Sequence, residues 1–449
     1  MDRGSVATCH VLMRDDLDRK IVRLAIPALG TLAVEPLYVL VDTAIVGRLG
    51  TPQLAGVAIA SIVLLNVISV LSFLEYVTPD IAFAVGAGRI EDARRVATHG
   101  LWLSLAIGVP AAIVLFVGAR PLCWLLGGRS EVLDHATTYL SISACGIPFV
   151  LLAFLGHGVL RGYNDLRTPL RIVVLANIVN LVLEVVAVYW LDLGVAGSAW
   201  STVVAQAIAA GVFLLSMQRH LARARPSWAG ALPLLRQGRA FALRSVAMYA
   251  VWNVVTLIAA YLDAPTLAAN QVVLQLFIFL ALMLDALAVP LHSLVAGELG
   301  SGNHAGAAAI GRASVRLSLW CSLVLAALLV AVSPFLPSLF TADPAVRSRI
   351  IAGLLVLAVM QVPGAIAFAL DGALIGAQDT KWLGRQAVIN LLGFVPFAVA
   401  TVLWPRLGLA GLWGAQLLWM SLRATVNWRR WRRLSQTFSA AESRRAALG

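Results

Sequence analysis

The sequence predicts an all-α integral membrane protein with twelve transmembrane helices, arranged as two lobes of six helices each. First, the chain of 449 residues is 60% hydrophobic and only 12% charged, whereas soluble domains carry about 25% charged residues. Second, apolar runs of about 20 residues, the length that crosses a hydrocarbon core of ~30 Å, recur along the chain. Third, motifs of the first half return in the second half at one constant offset.

The apolar runs account for the predicted helices one by one. In chain order they lie near residues 24–46, 54–76, 97–118, 137–157, 169–190, 195–217, 240–261, 267–290, 316–336, 352–375, 386–404 and 409–427. Because their number is even, both termini are expected on the same side of the membrane.

Lysine and arginine residues predict which side that is. With the termini inside, the inner segments hold 28 basic residues and the outer loops hold 6. Cytoplasmic loops carry such an excess, so we expect a multi-pass protein of the cytoplasmic (inner) membrane with both termini in the cytoplasm. Topology and anionic lipid headgroups thereby account for the net charge of +12, and we expect no nucleic-acid partner.

An internal repeat links the two halves of the chain. Three pairs of motifs are each separated by 214 residues, at 158–169 and 372–383, at 193–197 and 407–411, and at 86–88 and 300–302. One offset shared by separated motifs indicates a duplication. Six spans in each half make both halves enter the membrane in the same direction, which predicts a parallel repeat about an axis along the membrane normal, with a cavity between the lobes.

Five segments follow from the spans and the repeat. We predict a cytoplasmic tail, an N-lobe with the first six spans, a cytoplasmic linker, a C-lobe with the last six spans and a basic cytoplasmic tail, at residues 1–20, 21–218, 219–239, 240–428 and 429–449.

The first span carries two carboxylates. Asp42 and Glu35 are seven residues apart, so a helix presents both on one face. A carboxylate in a span costs on the order of 2.5–3.5 kcal/mol by insertion scales, which favours a functional role. Pro27 and Pro36 allow this helix to bend and to free carbonyl groups beside the carboxylates.

The fifth and sixth spans add further oxygen ligands. Asn177, Asn180 and Glu184 follow one another at intervals of three and four residues, which places them on one stripe of a helix. Ser198 and Thr202 supply hydroxyl groups in the sixth span.

Together, Asp42, Asn180, Glu184 and Thr202 can supply two carboxylates, an amide carbonyl and a hydroxyl. These hard oxygen ligands suit Na⁺ or, with one carboxylate protonated, H⁺. Two carboxylates in a pocket of low dielectric constant do not both ionise without a partner, so one is expected to hold a proton until a cation enters.

The second half lacks these acids. At the offset of 214, Phe394 replaces Asn180 and Ala398 replaces Glu184, while the counterpart of Asp42 lies near Val255 or Thr256. The predicted cation site therefore belongs to the N-lobe alone.

Other polar residues within spans are weaker candidates. Asp285, Asp371 and His157, the last being the repeat counterpart of Asp371, are candidates for lining a substrate cavity or for hydrogen bonding between helices. Tyr38 can also face the cavity. Glu75 is expected at a solvated end of the second span.

These motifs resemble a known transporter family. The ValAspThrAlaIleValGly motif at 41–47, AsnLeuValLeuGlu at 180–184, the twelve spans and the repeat resemble the multidrug and toxic compound extrusion (MATE) family, and more closely its DNA-damage-inducible protein F subfamily. The likeness covers about residues 20–430. It implies a V-shaped two-lobe antiporter that exports organic, often cationic, drugs in exchange for Na⁺ or H⁺.

The resemblance also assigns residues. By motif, Asp42 matches the family's acid in span one, Asn180 and Glu184 match its pair in span five, and Thr202 matches its hydroxyl in span six. The sequence departs from the family at Glu184, where relatives usually have Asp, and the extra methylene leaves the choice between H⁺ and Na⁺ open.

Two other functions compete with this one. A flippase of a lipid-linked precursor shares the fold, although flippases of anionic carriers tend to have extra spans and a basic cavity. A membrane enzyme or channel is a third reading, but an enzyme needs a nucleophile–base pair or a metal cluster within the spans, and the sequence contains neither. We therefore expect a monomeric transporter that contacts small organic substrates and membrane lipids, with no catalytic residues, no cofactor and no metal beyond Na⁺.

Overall fold

The fold is that of a computed structural model, which describes residues 3–223, 225 and 227–446. Within that description the side chains of residues 3–15, Glu35, Leu40 and 439–446 are not included. The described part of the chain is helical throughout and contains no β-strand.

Fourteen α-helices follow one another in the part of the chain that the structure describes. They are α1 (Arg3–Gly47), α2 (Thr51–Leu71), α3 (Thr78–Gly86), α4 (Ile90–Leu125), α5 (Ser130–Ala144), α6 (Ile147–Gly162), α7 (Arg167–Val185), α8 (Gly194–Met217), α9 (Trp228–Leu262), α10 (Ala264–Gly300), α11 (His304–Val332), α12 (Pro344–Gly376), α13 (Thr380–Leu403) and α14 (Gly408–Ala446).

The helices confirm an all-α membrane protein. Ten helical stretches of the described residues are long and apolar enough to cross a membrane. An eleventh span is the pair α5 and α6, which is bent by 49° at a short break. The twelfth predicted span, at 409–427, forms the first part of α14. Polar residues such as Gln416, Arg423 and Asn427 make it less apolar than the others.

The internal repeat reappears in the backbone. Three pairs of left-handed positions, each 214 residues apart, end or begin equivalent helices: Gly88 and Gly302 (φ 72° and 79°), Asn164 and Gln378 (φ 61° and 59°), and Gly194 and Gly408 (φ 53° and 51°). Because residues with a side chain rarely adopt a positive φ, this agreement supports the duplication read from the sequence.

Close helix packing repeats as well. A Cβ atom on Gly162 would lie 2.7 Å from the Ile81 side chain, and one on Gly376 would lie 2.9 Å from Val295. Both members of the second pair are 214 residues beyond those of the first. Equivalent pairs of helices, α3 with α6 and α10 with α12, therefore approach closely in the two halves because glycine leaves room for the neighbouring side chain.

The chain divides into two compact units, each with its own hydrophobic core. The first unit comprises Gly30–Ala242, and the second comprises Met1–Leu29 with Leu243–Gly449. In the first, Leu140, Ile147 and Leu151 are fully buried between α5, α6 and their neighbours. In the second, Trp413 and Phe394 occupy the equivalent apolar interior. The lobe boundaries at 21–218 and 240–428 remain predictions.

Candidate functional site

The structure brings the four predicted cation-site residues together in the first unit. Asp42 lies near the end of α1, Asn180 and Glu184 lie on α7, and Thr202 lies on α8. Asp42 is only 8% exposed and Glu184 only 1%. Burial of two carboxylates is costly unless their charges are compensated, so their surroundings decide what the cluster can bind.

Ser198 is the direct partner of Asp42. Its Oγ donates a hydrogen bond of 3.1 Å to Asp42 Oδ1, and both residues are buried. Ser198 and Thr202 are four residues apart on α8, so they share one face of that helix. This face of α8 therefore holds the carboxylate of α1 in place.

Thr202 is the centre of a hydrogen-bond network. Its hydroxyl donates to the carbonyl oxygen of Ser198 at 3.1 Å. Because a hydroxyl has a single proton, its oxygen then accepts from Asn180 Nδ2 at 3.2 Å and from the Tyr38 hydroxyl at 3.0 Å. The network orients the Asn180 amide so that its nitrogen faces Thr202.

Three buried oxygen atoms of the cluster have no hydrogen-bond partner among the described residues. They are both carboxylate oxygens of Glu184 and Oδ1 of Asn180. The Asp42 and Glu184 carboxyl groups interact electrostatically with each other. Since buried polar atoms are almost always satisfied, these oxygens are candidates for binding a proton or a cation.

The end of α7 is joined to α1 by a separate contact. Directly after Glu184, residues Val186–Trp190 form a π-helical turn, a feature that is rare and often found at functional sites. Tyr189 lies in this turn, and its hydroxyl donates to the carbonyl oxygen of Ile45 at 3.3 Å. The turn thereby fixes the distance between the two helices that carry the carboxylates.

The cluster opens into a cavity of about 220 Å³ between α1 and α7, whose lining includes Tyr38, Asn180 and Glu184. Asn177 lines this cavity and also a neighbouring one of about 300 Å³. Its Nδ2 donates to the carbonyl oxygen of Val173 at 2.8 Å, so Asn177 borders both cavities without joining the Thr202 network.

Tyr139 is a site residue that was not predicted from the sequence. It is 5% exposed on α5, and it interacts with Ser198 and with the charge of Asp42. His135, Tyr139 and Ser143 follow one another at intervals of four residues and form a polar stripe on α5, and the packing of α5 against α8 brings Tyr139 to the cluster. This stripe is the sequence signal that could have identified Tyr139.

The second cavity contains His157 and an ion pair. His157 is buried against Phe213, with ring centroids 4.7 Å apart, and its Nδ1 has no hydrogen-bond partner in the described part of the chain. Glu75 and Arg161, which also line the cavity, form a salt bridge. Glu75 follows the end of α2 and is partly exposed, so a solvated helix end stays a prediction, and its carboxylate also offsets the charge of the buried Arg161.

The substrate-cavity candidates of the second half lie in the second unit. Asp371 is buried on α12, where it accepts from Asn427 Nδ2 at 2.6 Å, from Arg244 at 2.5 Å and from Arg423. Its carboxylate is thus compensated by protein groups. Asp285 is half-buried on α10.

The remaining residues predicted from the sequence, a carboxylate and two prolines, lie on α1. The side chain of Glu35 lies outside the described residues. The helix continues through Pro27 and Pro36, and its bending stays a prediction.

Comparison with known proteins places the chain in a family. The MatE family model matches residues 27–186 and 240–402. Protein DETOXIFICATION 44, chloroplastic, of Arabidopsis thaliana is 30% identical over 428 residues, which cover 91% of this chain and 81% of that protein. DNA damage-inducible protein F of Escherichia coli (strain K12) is 27% identical over 429 residues, covering 92% and 93% of the two chains.

A solved structure has the same fold. The crystal structure of a MATE protein in the bent conformation superposes with a TM-score of 0.89 at 23% identity, covering 96% of this chain and 98% of that one. The resemblance predicted from the motifs in spans one and five is confirmed. The chain belongs to the MatE family and is a membrane transporter, not an enzyme.

Proposed function

We propose that this protein is a cation-coupled antiporter of the cytoplasmic membrane that exports organic compounds, with H⁺ or Na⁺ bound by Asp42 and Glu184. In this proposal both termini lie in the cytoplasm, as the distribution of basic residues indicates. The compounds are of the drug-like class named for the relatives called probable multidrug resistance protein NorM. No cofactor is involved, and the transporter acts as a monomer.

One observation carries the proposal: beside Asp42, three buried oxygens of Glu184 and Asn180 have no hydrogen-bond partner among the residues that the structure describes. If this cluster served only stability, replacing its acids with apolar residues would stabilise the protein, because buried charged groups rarely add stability. The second half has made that replacement at Ala398, the buried counterpart of Glu184, and it has the buried Phe394 in place of Asn180. The acids therefore serve binding of a cation.

The charge of the cluster couples ion binding to the movement of helices. When a proton or Na⁺ binds, the net negative charge of the cluster decreases by one, and the electrostatic interaction of α1 with α7 and α8 changes. The bound ion drives a conformational change only if it binds the two conformations with different affinity. Asp42 is suited to this role because Ser198 and Tyr38 tie the same part of α1 to α8.

The proposed substrate path is apolar with few polar groups. The cavity beside the cluster is lined mostly by aliphatic side chains such as Val34, Leu37 and Ile178. Bulky aromatic compounds bind such surfaces by burial. Asp371 is a weak candidate for holding a cationic substrate, because Arg244 and Arg423 already compensate it.

The test is transport in everted vesicles with the Na⁺ and H⁺ gradients collapsed separately. We expect export to stop when one of the two gradients is removed, and Asp42→Asn to abolish it, since Asn is nearly isosteric and removes only the charge. The matched control is Asp134→Asn, which changes an exposed carboxylate paired with Arg120. Export by Asp42→Asn at the wild-type rate, with normal expression, would overturn the assignment of the site. Export that ignores both gradients would overturn cation coupling.

A further inference from the structure

A groove in the second unit is built from α11 and α14 and is separate from the cation cluster. It has a volume of about 340 Å³ and is lined by Arg312, Arg316, Leu319, Trp320, Leu323 and Trp428, with Val315 at its base. Trp320 is 66% exposed and Leu323 is 48% exposed. The apolar part of the groove is therefore open at the surface of the unit and is not closed off in the protein interior.

The lining residues of α11 are ordered by polarity. Arg312, Arg316, Trp320 and Leu323 follow at intervals of four, four and three residues, so they lie on one face of the helix. From the first to the last, the helix rises by roughly 16 Å at 1.5 Å per residue. This length is close to half of a ~30 Å hydrocarbon core, the depth of one lipid leaflet.

That order matches the parts of a phospholipid. Arginine side chains hold a phosphate with several donors in a fixed geometry, tryptophan is enriched at the level of the headgroups, and leucine contacts acyl chains. Trp428 stands on the opposite wall, on α14. One turn further along α14, Arg432 is exposed, which extends the basic end of the groove.

Arg312 is available for a ligand. It is exposed, and it makes no hydrogen bond or ion pair with any residue that the structure describes. Arg316 is different, because its Nη2 donates to both carboxylate oxygens of Asp18, at 2.5 and 2.7 Å. Asp18 therefore offsets one guanidinium group of the groove, and the charge of Arg312 is left without an anion.

The arginines are particular to this half of the chain. At the repeat offset of 214, Thr98 is the counterpart of Arg312 and Trp102 is the counterpart of Arg316. A general excess of basic residues near the membrane would not require this difference at matched positions. The groove is thus a local feature of the second unit.

We propose that this groove binds one anionic phospholipid, with its phosphate on Arg312 and an acyl chain along Leu319 and Leu323. The lipid lies in the leaflet where α11 begins, which is the cytoplasmic leaflet in the predicted topology. Anionic lipids there attract juxtamembrane arginine at about 1 kcal/mol per charge, which corresponds to roughly fivefold in affinity for each arginine removed.

The experiment measures retained lipid on the purified full chain. The protein is reconstituted in nanodiscs of mixed phosphatidylglycerol and phosphatidylcholine, released, and weighed by native mass spectrometry. We expect bound phosphatidylglycerol in preference to phosphatidylcholine, and about fivefold weaker retention in Arg312→Gln. Arg406→Gln is the matched control, because Arg406 is an exposed arginine of the same unit outside the groove. It should retain lipid like the wild type.

Two further arms separate the alternatives. Trp320→Ala should weaken retention of either lipid, since it removes the wall of the groove and no charge. Inorganic phosphate at millimolar concentration should not displace the lipid. Equal retention of the two lipids, unchanged retention in Arg312→Gln, or complete displacement by phosphate would each overturn the proposal. Transport activity is not part of the readout, so failure here leaves the cation-coupling proposal untouched.

Discussion

Ser198 donates a hydrogen bond of 3.1 Å to Asp42 across 156 residues of sequence. This bond ties α8 to the carboxylate of α1 at the point where α7 contributes Glu184. The side chain of Ser198 is fully buried, so water does not replace it. The charge of Asp42 is therefore held by a single hydroxyl on one side and by an interacting carboxyl group on the other.

We expect Ser198→Ala to impair export. Hydrogen bonds to charged groups contribute about 1.5–3 kcal/mol, and without this donor Asp42 is free to leave its position. Ser201→Ala is the matched control, because Ser201 is buried on the same helix but donates only to the carbonyl oxygens of Gly197 and Ser198. Initial rates of drug export at equal expression measure the effect. Equal rates in the two variants would show that the Ser198 hydroxyl has no role.

Glu184 should tolerate a change of length better than a loss of charge. Glu184→Gln is expected to weaken export or to change its ion dependence, because an amide replaces one unpartnered carboxylate oxygen with a nitrogen donor. Glu184→Asp should keep export. Both variants are tested with each ion gradient present alone. If Gln supports export with unaltered ion dependence, Glu184 does not bind the coupling ion.

Asp371→Asn should unfold at a lower temperature than the wild type. Asp371 lies between Arg244 and Arg423 in a buried cluster, and breaking a buried ion pair costs about 3–5 kcal/mol. Asp134→Asn breaks an exposed pair with Arg120 and should cost less than about 1 kcal/mol. Thermal unfolding of the detergent-solubilised protein compares them. Full stability together with lost export would give Asp371 a role in transport instead.

Gly372→Ala should destabilise the packing of α12 against α10. A Cβ atom at this position would lie 2.5 Å from the carbonyl oxygen of Ala288, so the helices must move apart at a cost of about 1–3 kcal/mol. Gly414→Ala, where a Cβ atom meets nothing within 4 Å, should be neutral or stabilising by ~0.5–1 kcal/mol. The two melting temperatures should therefore shift in opposite directions or differ clearly. A loss of stability in Gly414→Ala equal to that in Gly372→Ala would contradict the packing argument.

The stability of the first turn of α10 should decrease at acid pH. Burial acts to raise the pKa of Asp263, but the Thr266 amide and Arg349 outweigh it and hold the pKa of this carboxyl below its usual value. A group with a depressed pKa in the folded state stabilises above its unfolded pKa of ~3.9 and loses that contribution as the pH falls through its folded pKa. Hydrogen exchange of the Thr266 amide should therefore show falling protection below about pH 4. Asp263→Asn should remove most of this dependence, whereas Asp343→Asn, at the start of α12, should leave it intact.

Much of the fold follows from local sequence. Apolar runs of membrane-crossing length predict the helices because lipid forces each backbone segment to satisfy its own hydrogen bonds. Their order and the 214-residue repeat are visible without any contact between helices. The same holds for the stripe of Asn177, Asn180 and Glu184, since one helix determines it by its own period.

The partners of these residues were decided by tertiary structure. Tyr139, Ser198 and Asp42 come from three helices, and their meeting depends on how side chains pack between helices rather than on any period within one. For the same reason the sequence marked Glu75 and Asp371 as polar residues in apolar spans but did not reveal that buried arginines compensate both. Periodicity determines which face of a helix is polar, and only packing determines what that face meets.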